Sequence, residues 1–176
     1  KSIEIIKKIN TELLESPVFD KKNKFLYYVS ILDFRAYRYC TITKKNIYIQ
    51  FNSPTSCIFL TSKYGVVSVS SNGFYSLDFE NLKKKKIIDV ILAKNTRFND
   101  GVLDKKGRFL IGTMGYPEIK EFSGSLFSYY NGKIDVLIPK VTISNGIVFS
   151  KDHKKMFYID TPTRCVSLYD YDINTG

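Results

Sequence analysis

Apolar and polar positions along this chain recur in a unit. Four stretches share one layout: a small or polar lead-in, a short apolar run, a charged or Gly/Asn turn, then a second apolar run. Ser16-Pro17-Val18-Phe19-Asp20 leads to Phe25-Leu26-Tyr27-Tyr28-Val29, and Cys57-Ile58-Phe59-Leu60 leads to Gly65-Val66-Val67-Ser68-Val69. Asp100-Gly101-Val102-Leu103-Asp104 leads to Phe109-Leu110-Ile111-Gly112, and Asn145-Gly146-Ile147-Val148-Phe149 leads to Met156-Phe157-Tyr158-Ile159-Asp160. Short runs rich in β-branched and aromatic residues and bounded by turn residues predict strands. Taking Val18, Ile58, Val102 and Ile147 as equivalent, the spacings are 40, 44 and 45 residues. Several strands inside a repeat of roughly 40–45 residues predict the blades of a β-propeller.

The turns agree with this reading. Lys21-Lys22-Asn23-Lys24, Lys105-Lys106-Gly107-Arg108 and Lys151-Asp152-His153-Lys154 stand at equivalent places and predict hairpins. A further strand follows each pair: Phe74-Tyr75-Ser76-Leu77 after Asn72-Gly73, Leu126-Phe127-Ser128-Tyr129-Tyr130 before Asn131-Gly132, and Val166-Ser167-Leu168-Tyr169-Asp170-Tyr171 before Asn174. These alternate apolar with polar, as strands with one solvated face should. Residues 3–14 read equally as a helix or as the strand that closes a ring.

The expected fold is therefore all-β, a single β-propeller domain over residues 1–176 with three full units and a fourth that stops after its outer strands. A closed propeller needs roughly 4–8 blades, and an open array exposes strand edges. The expectation is an incomplete propeller, with C-terminal blades absent: a fragment, half of an assembly completed by a second chain, or a relic.

Composition narrows the function classes. The net charge is +10, but Arg contributes only five of the 27 basic residues, and Arg is the better reader of phosphates and base edges. Lys83-Lys84-Lys85-Lys86 reads as a solvated loop between blades, since lysines without interleaved aromatics make a poor nucleic-acid surface. Neither a nucleic-acid nor a membrane partner is expected. Cys40, Cys57 and Cys165 show neither metal spacing nor an even pairing, and read as small buried hydrophobes in a reducing cytoplasm. His153, the only histidine, lies in a Lys-rich turn and reads as solvated, which argues against a Ser-His-Asp or Cys-His system.

Two stretches go beyond architecture. Arg97-Phe98-Asn99-Asp100-Gly101 is followed by Asp104, Gly107-Arg108-Phe109 and Gly112-Thr113-Met114. Ser144-Asn145-Gly146 is followed by Tyr158-Ile159-Asp160-Thr161 and Tyr169-Asp170-Tyr171-Asp172. With Glu15-Ser16-Pro17-Val18-Phe19-Asp20 and Leu26-Tyr27-Tyr28-Val29, the chain resembles the SMP-30/gluconolactonase/regucalcin family over almost its whole length. That resemblance implies a six-bladed propeller with one divalent cation (Ca2+, Zn2+, Mg2+ or Mn2+) in its channel and, in the enzymes, hydrolysis of a small sugar lactone. It implies that Glu15 and Asn145 are metal ligands and that Arg97 and Asn99 contact substrate. The family's third ligand, an Asp that also serves as the base, belongs to a later blade, so no catalytic residue is expected in this chain.

The residues themselves are compatible with this. Glu15, Asn99 and Asn145 each stand at the lead-in to an inner strand of a different repeat, where propeller symmetry would bring them to the central axis. A carboxylate and amide carbonyls are hard donors suited to Ca2+, Mg2+ or Mn2+. A bound ion can polarise a carbonyl and acidify water, a nearby carboxylate must accept the proton, and Arg97 could stabilise developing charge. The chain departs from the family in having Phe19, Tyr28 and Leu110 where Trp is usual, and Ser30 where an acidic residue braces the channel wall. Asn-Gly pairs are otherwise simply turns, and Asp100 and Asp160 read as bonding backbone within their own blades.

Overall fold

A computed structural model describes residues 3–176. The first sheet holds β1 (Leu14–Asp20), β2 (Phe25–Ser30), β3 (Arg35–Cys40) and β4 (Asn46–Gln50). The second holds β5 (Thr55–Thr61), β6 (Gly65–Ser70), β7 (Gly73–Asp78) and β8 (Lys83–Asp89). The third holds β9 (Thr96–Leu103), β10 (Phe109–Gly115), β11 (Gly124–Tyr130) and β12 (Lys133–Val141). The fourth has β13 (Ser144–Phe149), β14 (Lys155–Asp160) and β15 (Ser167–Asp170), with a turn of 3-10 helix, Thr161–Thr163, between the last two. Each sheet is an antiparallel meander in chain order, and no strand crosses from one sheet to another. The architecture is all-β: four propeller blades, the last of them three-stranded.

The blades are held face to face by apolar side chains that alternate along the strands. Tyr27, Val29, Ile31 and Ile49 of the first blade pack on Ile58, Tyr75 and Leu77 of the second. Phe59, Val67 and Phe74 of the second meet Phe98, Phe109 and Ile111 of the third. There the rings of Phe74 and Phe109 stand edge to face, 5.0 Å between centroids and 71° apart, the geometry that aromatic quadrupoles prefer. Leu110 and Leu126 of the third blade pack on Ile147, Met156 and Tyr158 of the fourth. The core is thus a series of inter-blade layers, each needing a neighbour on both sides.

Close approach of the third and fourth blades also explains a glycine. A β-carbon on Gly112 would lie 1.8 Å from the Ser144 hydroxyl oxygen, so any side chain at this position would drive the blades apart.

Several sequence expectations need correction. Residues 3–13 form neither helix nor strand, and Ile6 and Ile9 line a groove with Leu26, Tyr28 and Tyr39 of the first blade without pairing to it. The segment is anchored instead by Thr11, whose hydroxyl donates to Asp33, and by the Glu12 amide, which donates to Asp33 Oδ2 at 2.8 Å. Lys83-Lys84-Lys85-Lys86 is not a loop but the start of β8, an outer edge strand whose lysines keep the edge solvated. Of the cysteines only Cys57 is buried; Cys40 is half-buried and Cys165 exposed. Phe19 is 51% exposed, while Leu110 is fully buried. His153 is partly buried and stacks on the Phe149 ring, 5.1 Å between centroids. No helix among the described residues is long and apolar enough to cross a membrane.

Candidate functional site

The register of the inner strands carries a defect that repeats. In β1, β5, β9 and β13, pairing with the next strand slips at one place, between Glu15 and Val18, Thr55 and Cys57, Phe98 and Gly101, and Asn145 and Ile147. A bulge bends a strand and turns a side chain that regular alternation would aim elsewhere. The bulges of β1, β5 and β13 lie in the first half of the strand, and that of β9 lies at its middle.

Four blades consequently contribute to one cavity of about 190 Å³, lined among others by Glu15, Ser56, Arg97, Asn99, Asp100 and Asn145. The four residues singled out in the sequence, Glu15, Arg97, Asn99 and Asn145, all face it. Ser56 and Asp100 were not expected there. A signal existed: each lies two residues before its repeat's reference position, as Asn145 does, and so occupies the same structural place in its blade.

Hydrogen bonds from these bulges bind each blade to the next. Ser16 Oγ accepts the Ile58 amide at 3.0 Å, and Ser56 Oγ donates to the Phe98 carbonyl at 2.5 Å. Asp100 Oδ2 accepts the Gly146 amide at 2.8 Å while its Oδ1 accepts the amide of Gly101, also at 2.8 Å. Asp100 thus joins two blades instead of serving only its own. Asp160 does stay within its blade, accepting the amides of Thr142 at 3.0 Å and Ile143 at 2.8 Å. Asp100 has no cationic partner, and burial raises its pKa against the lowering effect of its two backbone donors.

Arg97 is buried. Its Nη1 donates to the Phe98 carbonyl at 2.8 Å and to Asn99 Oδ1 at 2.9 Å, while its Nε–H is buried without a partner among the described residues. Burial lowers its pKa from the ordinary arginine value. Asn99 completes the relay by donating from Nδ2 to the Ser144 carbonyl at 3.0 Å, so its amide spans the third and fourth blades. Cys57 lies just beneath, its thiol 3.5 Å from the Asn99 carbonyl, and burial pushes the thiol pKa well up. A protonated, buried thiol is a poor nucleophile.

Two oxygen donors remain available. Glu15 is exposed, and its carboxylate makes no hydrogen bond or ion pair with the described residues. Asn145 Oδ1 accepts only the amide of Gly146, at 3.0 Å, while its Nδ2 donates to Thr161 Oγ1 at 3.3 Å. One carboxylate and one amide oxygen are hard donors that fit a divalent cation completing its shell with water or further oxygens. Asn99 does not add to the set, because the donor on its Oδ1 is the Arg97 guanidinium, a positive charge that would repel a second cation there. No group of three or more His, Cys, Asp or Glu positioned to hold a metal occurs among the described residues.

Comparison with known proteins bears on this geometry. Residues 13–176 match the family model described as the SMP-30/gluconolactonase/LRE-like region. The chain belongs to this family. Regucalcin of Xenopus laevis is 36% identical over 168 residues, covering 92% of this chain and 56% of that protein. Human regucalcin is 32% identical over 185 residues, covering 99% of this chain and 60% of that protein. Among solved structures, a luciferin-regenerating enzyme superposes with a TM-score of 0.84 at 29% identity, over 94% of this chain and 58% of that one. A calcium-binding protein, regucalcin of Agrobacterium tumefaciens, gives 0.84 at 21% identity over 96% and 57%, a likeness of fold. The family member described here thus spans less than two thirds of the length of the relatives it matches.

The position of Ser30 gives the departure from the family pattern a physical reading. Ser30 is fully buried, and its hydroxyl donates to the Glu12 carbonyl at 2.6 Å and to Asp33 Oδ2 at 2.5 Å. Asp33 thus brings a carboxylate against Ser30 from three residues further on, and neither residue lines the cavity. Its hydrogen bonds with Ser30, Thr11 and the Glu12 amide hold its pKa down at about 2.

Proposed function

We propose that this chain forms the metal- and substrate-binding wall of a sugar-lactone hydrolase in which Glu15 and Asn145 hold one divalent cation. The observation that carries the reading is the meeting of Glu15, Arg97, Asn99 and Asn145, from three blades, around one cavity in which the Glu15 carboxylate is unengaged and Asn145 Oδ1 accepts a single backbone amide. When bound, a divalent cation supplies Lewis-acid polarisation of a carbonyl and lowers the pKa of coordinated water.

The chain's own residues then have distinct tasks. Arg97, held through Nη1 and low in solvent access, offers its guanidinium edge to a substrate oxygen as negative charge develops there. Asn99 fixes Arg97 through Oδ1 and is itself held by Ser144, so the pair forms a preorganised donor edge for lactone hydroxyls. The Asn145-Gly146 bulge sets the ligand oxygen, with Gly146 in the left-handed region at φ +50°. Proton transfer needs a base, and the two carboxylates that line the cavity are committed: Glu15 to the ion, Asp100 to two backbone amides. The family resemblance assigns that role to an Asp of a later blade.

That commitment favours a second reading for the chain by itself, a cation-binding propeller without turnover, in keeping with the calcium-binding description of the Agrobacterium relative. One experiment separates the two. Hydrolysis of gluconolactone and related lactones is followed above the spontaneous rate with and without Ca2+, Zn2+ or Mn2+, alongside thermal unfolding. Metal-dependent turnover lost in Glu15→Ala and Asn145→Ala supports the hydrolase. A metal-dependent rise in Tm, lost in the same variants without turnover, supports the binding module. Neither effect leaves an inactive relic.

A further inference from the structure

Lysines that look scattered along the sequence are gathered by the topology. Glu15, Ser56, Arg97 and Asn145 lie near the starts of the four inner strands and line one cavity, so those strands all enter from one end. Their hairpin turns must emerge at the other. The antiparallel order within each sheet sends the outer hairpins, β3–β4, β7–β8 and β11–β12, to the same far end. Contacts between blades confirm that these turns are neighbours. Arg38 of β3 pairs with Glu80 of the β7–β8 turn at 2.5 Å, and Lys106 of the β9–β10 turn donates to Asn174 at 2.9 Å.

Each of these turns carries or borders at least one exposed lysine, from Lys22 in the first to Lys154 in the last. The acidic residues at this end, Asp20, Asp78, Glu80, Asp104, Asp152, Asp170 and Asp172, are outnumbered by the lysines. Asp20 accepts the amides of Lys22 and Asn23, Asp78 those of Glu80 and Asn81, and Asp104 is buried against Arg108. The β10–β11 loop at the cavity end alternates in sign instead, with Lys120 between Glu118 and Glu121. Two basic turns also present an apolar tip: Ile42, 72% exposed beside Lys44 and Lys45, and Leu82, 55% exposed beside Lys83.

We propose that the hairpin end of the propeller docks on an anionic lipid bilayer, its lysines over the headgroups and Ile42 and Leu82 in the interfacial layer, with the cavity end facing solvent. This departs from the sequence-level expectation of no membrane partner, and it is independent of the lactone reading. An extended surface of negative headgroups attracts lysines delivered together from several blades. The apolar tips decide between polyanions: they gain by leaving water at a lipid interface and gain nothing against a phosphate backbone. Arg, the better partner for nucleic-acid phosphates and bases, is scarce.

The test is sedimentation of the chain with sucrose-loaded vesicles of phosphatidylcholine alone or mixed with phosphatidylserine, against a vesicle-free control. Sedimentation is expected only with phosphatidylserine and is reversed by salt near 1 M, where screening acts over about 3 Å. Each lysine near an anionic surface is worth roughly fivefold in partition, so Lys44→Glu with Lys45→Glu should lower binding more than about tenfold. Ile42→Asn with Leu82→Asn should weaken binding while preserving its salt dependence, and Ile119→Asn at the cavity end should leave it unchanged. The proposal is overturned by equal binding to both vesicles, by indifference to the hairpin-end variants, or by loss with Ile119→Asn. It is equally overturned if the chain shifts duplex DNA but leaves both vesicle types in the supernatant.

Discussion

Asp100 offers the sharpest test of how the blades are joined. Its carboxylate takes one amide from its own strand and one from the next blade, Gly101 and Gly146, each at 2.8 Å. Replacing it with Ala leaves the Gly101 amide without a partner, while Gly146 keeps Asn145 Oδ1 at 3.0 Å. A buried donor left unpaired costs about 1–3 kcal/mol. Against that stands relief of the desolvated charge, visible in the raised pKa of a carboxylate with no cationic partner. The net loss for Asp100→Ala is expected at about 1–2 kcal/mol, or a fall in Tm of about 2–8 °C for a chain of this size. Asp100→Asn keeps one acceptor and points an NH2 at the other amide, so about 1 kcal/mol is expected. Urea unfolding followed by tyrosine fluorescence is suitable, since the chain has 13 Tyr and no Trp. If Asp100→Ala leaves the midpoint unchanged, or Asp100→Asn raises it, the inter-blade role is wrong.

Other predictions follow from the same structure. Asp33 is held at about pH 2 by Ser30, Thr11 and the Glu12 amide, so its folded pKa lies below the unfolded value near 4. The stability it provides is present above pH 4 and is lost as pH falls towards 2; Asp33→Asn should flatten the urea midpoint against pH over that window and nowhere above it. Gly112→Ala should be strongly destabilising because the new methyl group overlaps the Ser144 side chain; if its Tm matches the parent chain, the blades do not approach as described. Leu110→Ala removes a fully buried side chain between the third and fourth blades and should cost about 2–5 kcal/mol in urea unfolding.

Much of the architecture was legible in the residues. Hairpin turns such as Lys105-Lys106-Gly107-Arg108 and the recurrence of Val18, Ile58, Val102 and Ile147 depend on local chain chemistry, which a linear pattern records. So blade order, strand content and family resemblance came from sequence, and Glu15, Arg97, Asn99 and Asn145 were named from it. The bulges did not, because a slip in register is a property of a strand pair and leaves no mark in one strand's alternation. Asp100 and Ser56 show the consequence: their partners, Gly146 and Phe98, are supplied by the next blade. Lys83-Lys84-Lys85-Lys86 became a strand for a similar reason, since pairing with β7 supplies backbone partners that four lysines in isolation give no reason to expect. Burial of Leu110 comes from packing on the fourth blade, which no linear pattern records. The basic hairpin end is the clearest case: composition determined how much charge the chain carries, but only the common direction of the inner strands brought it to one surface.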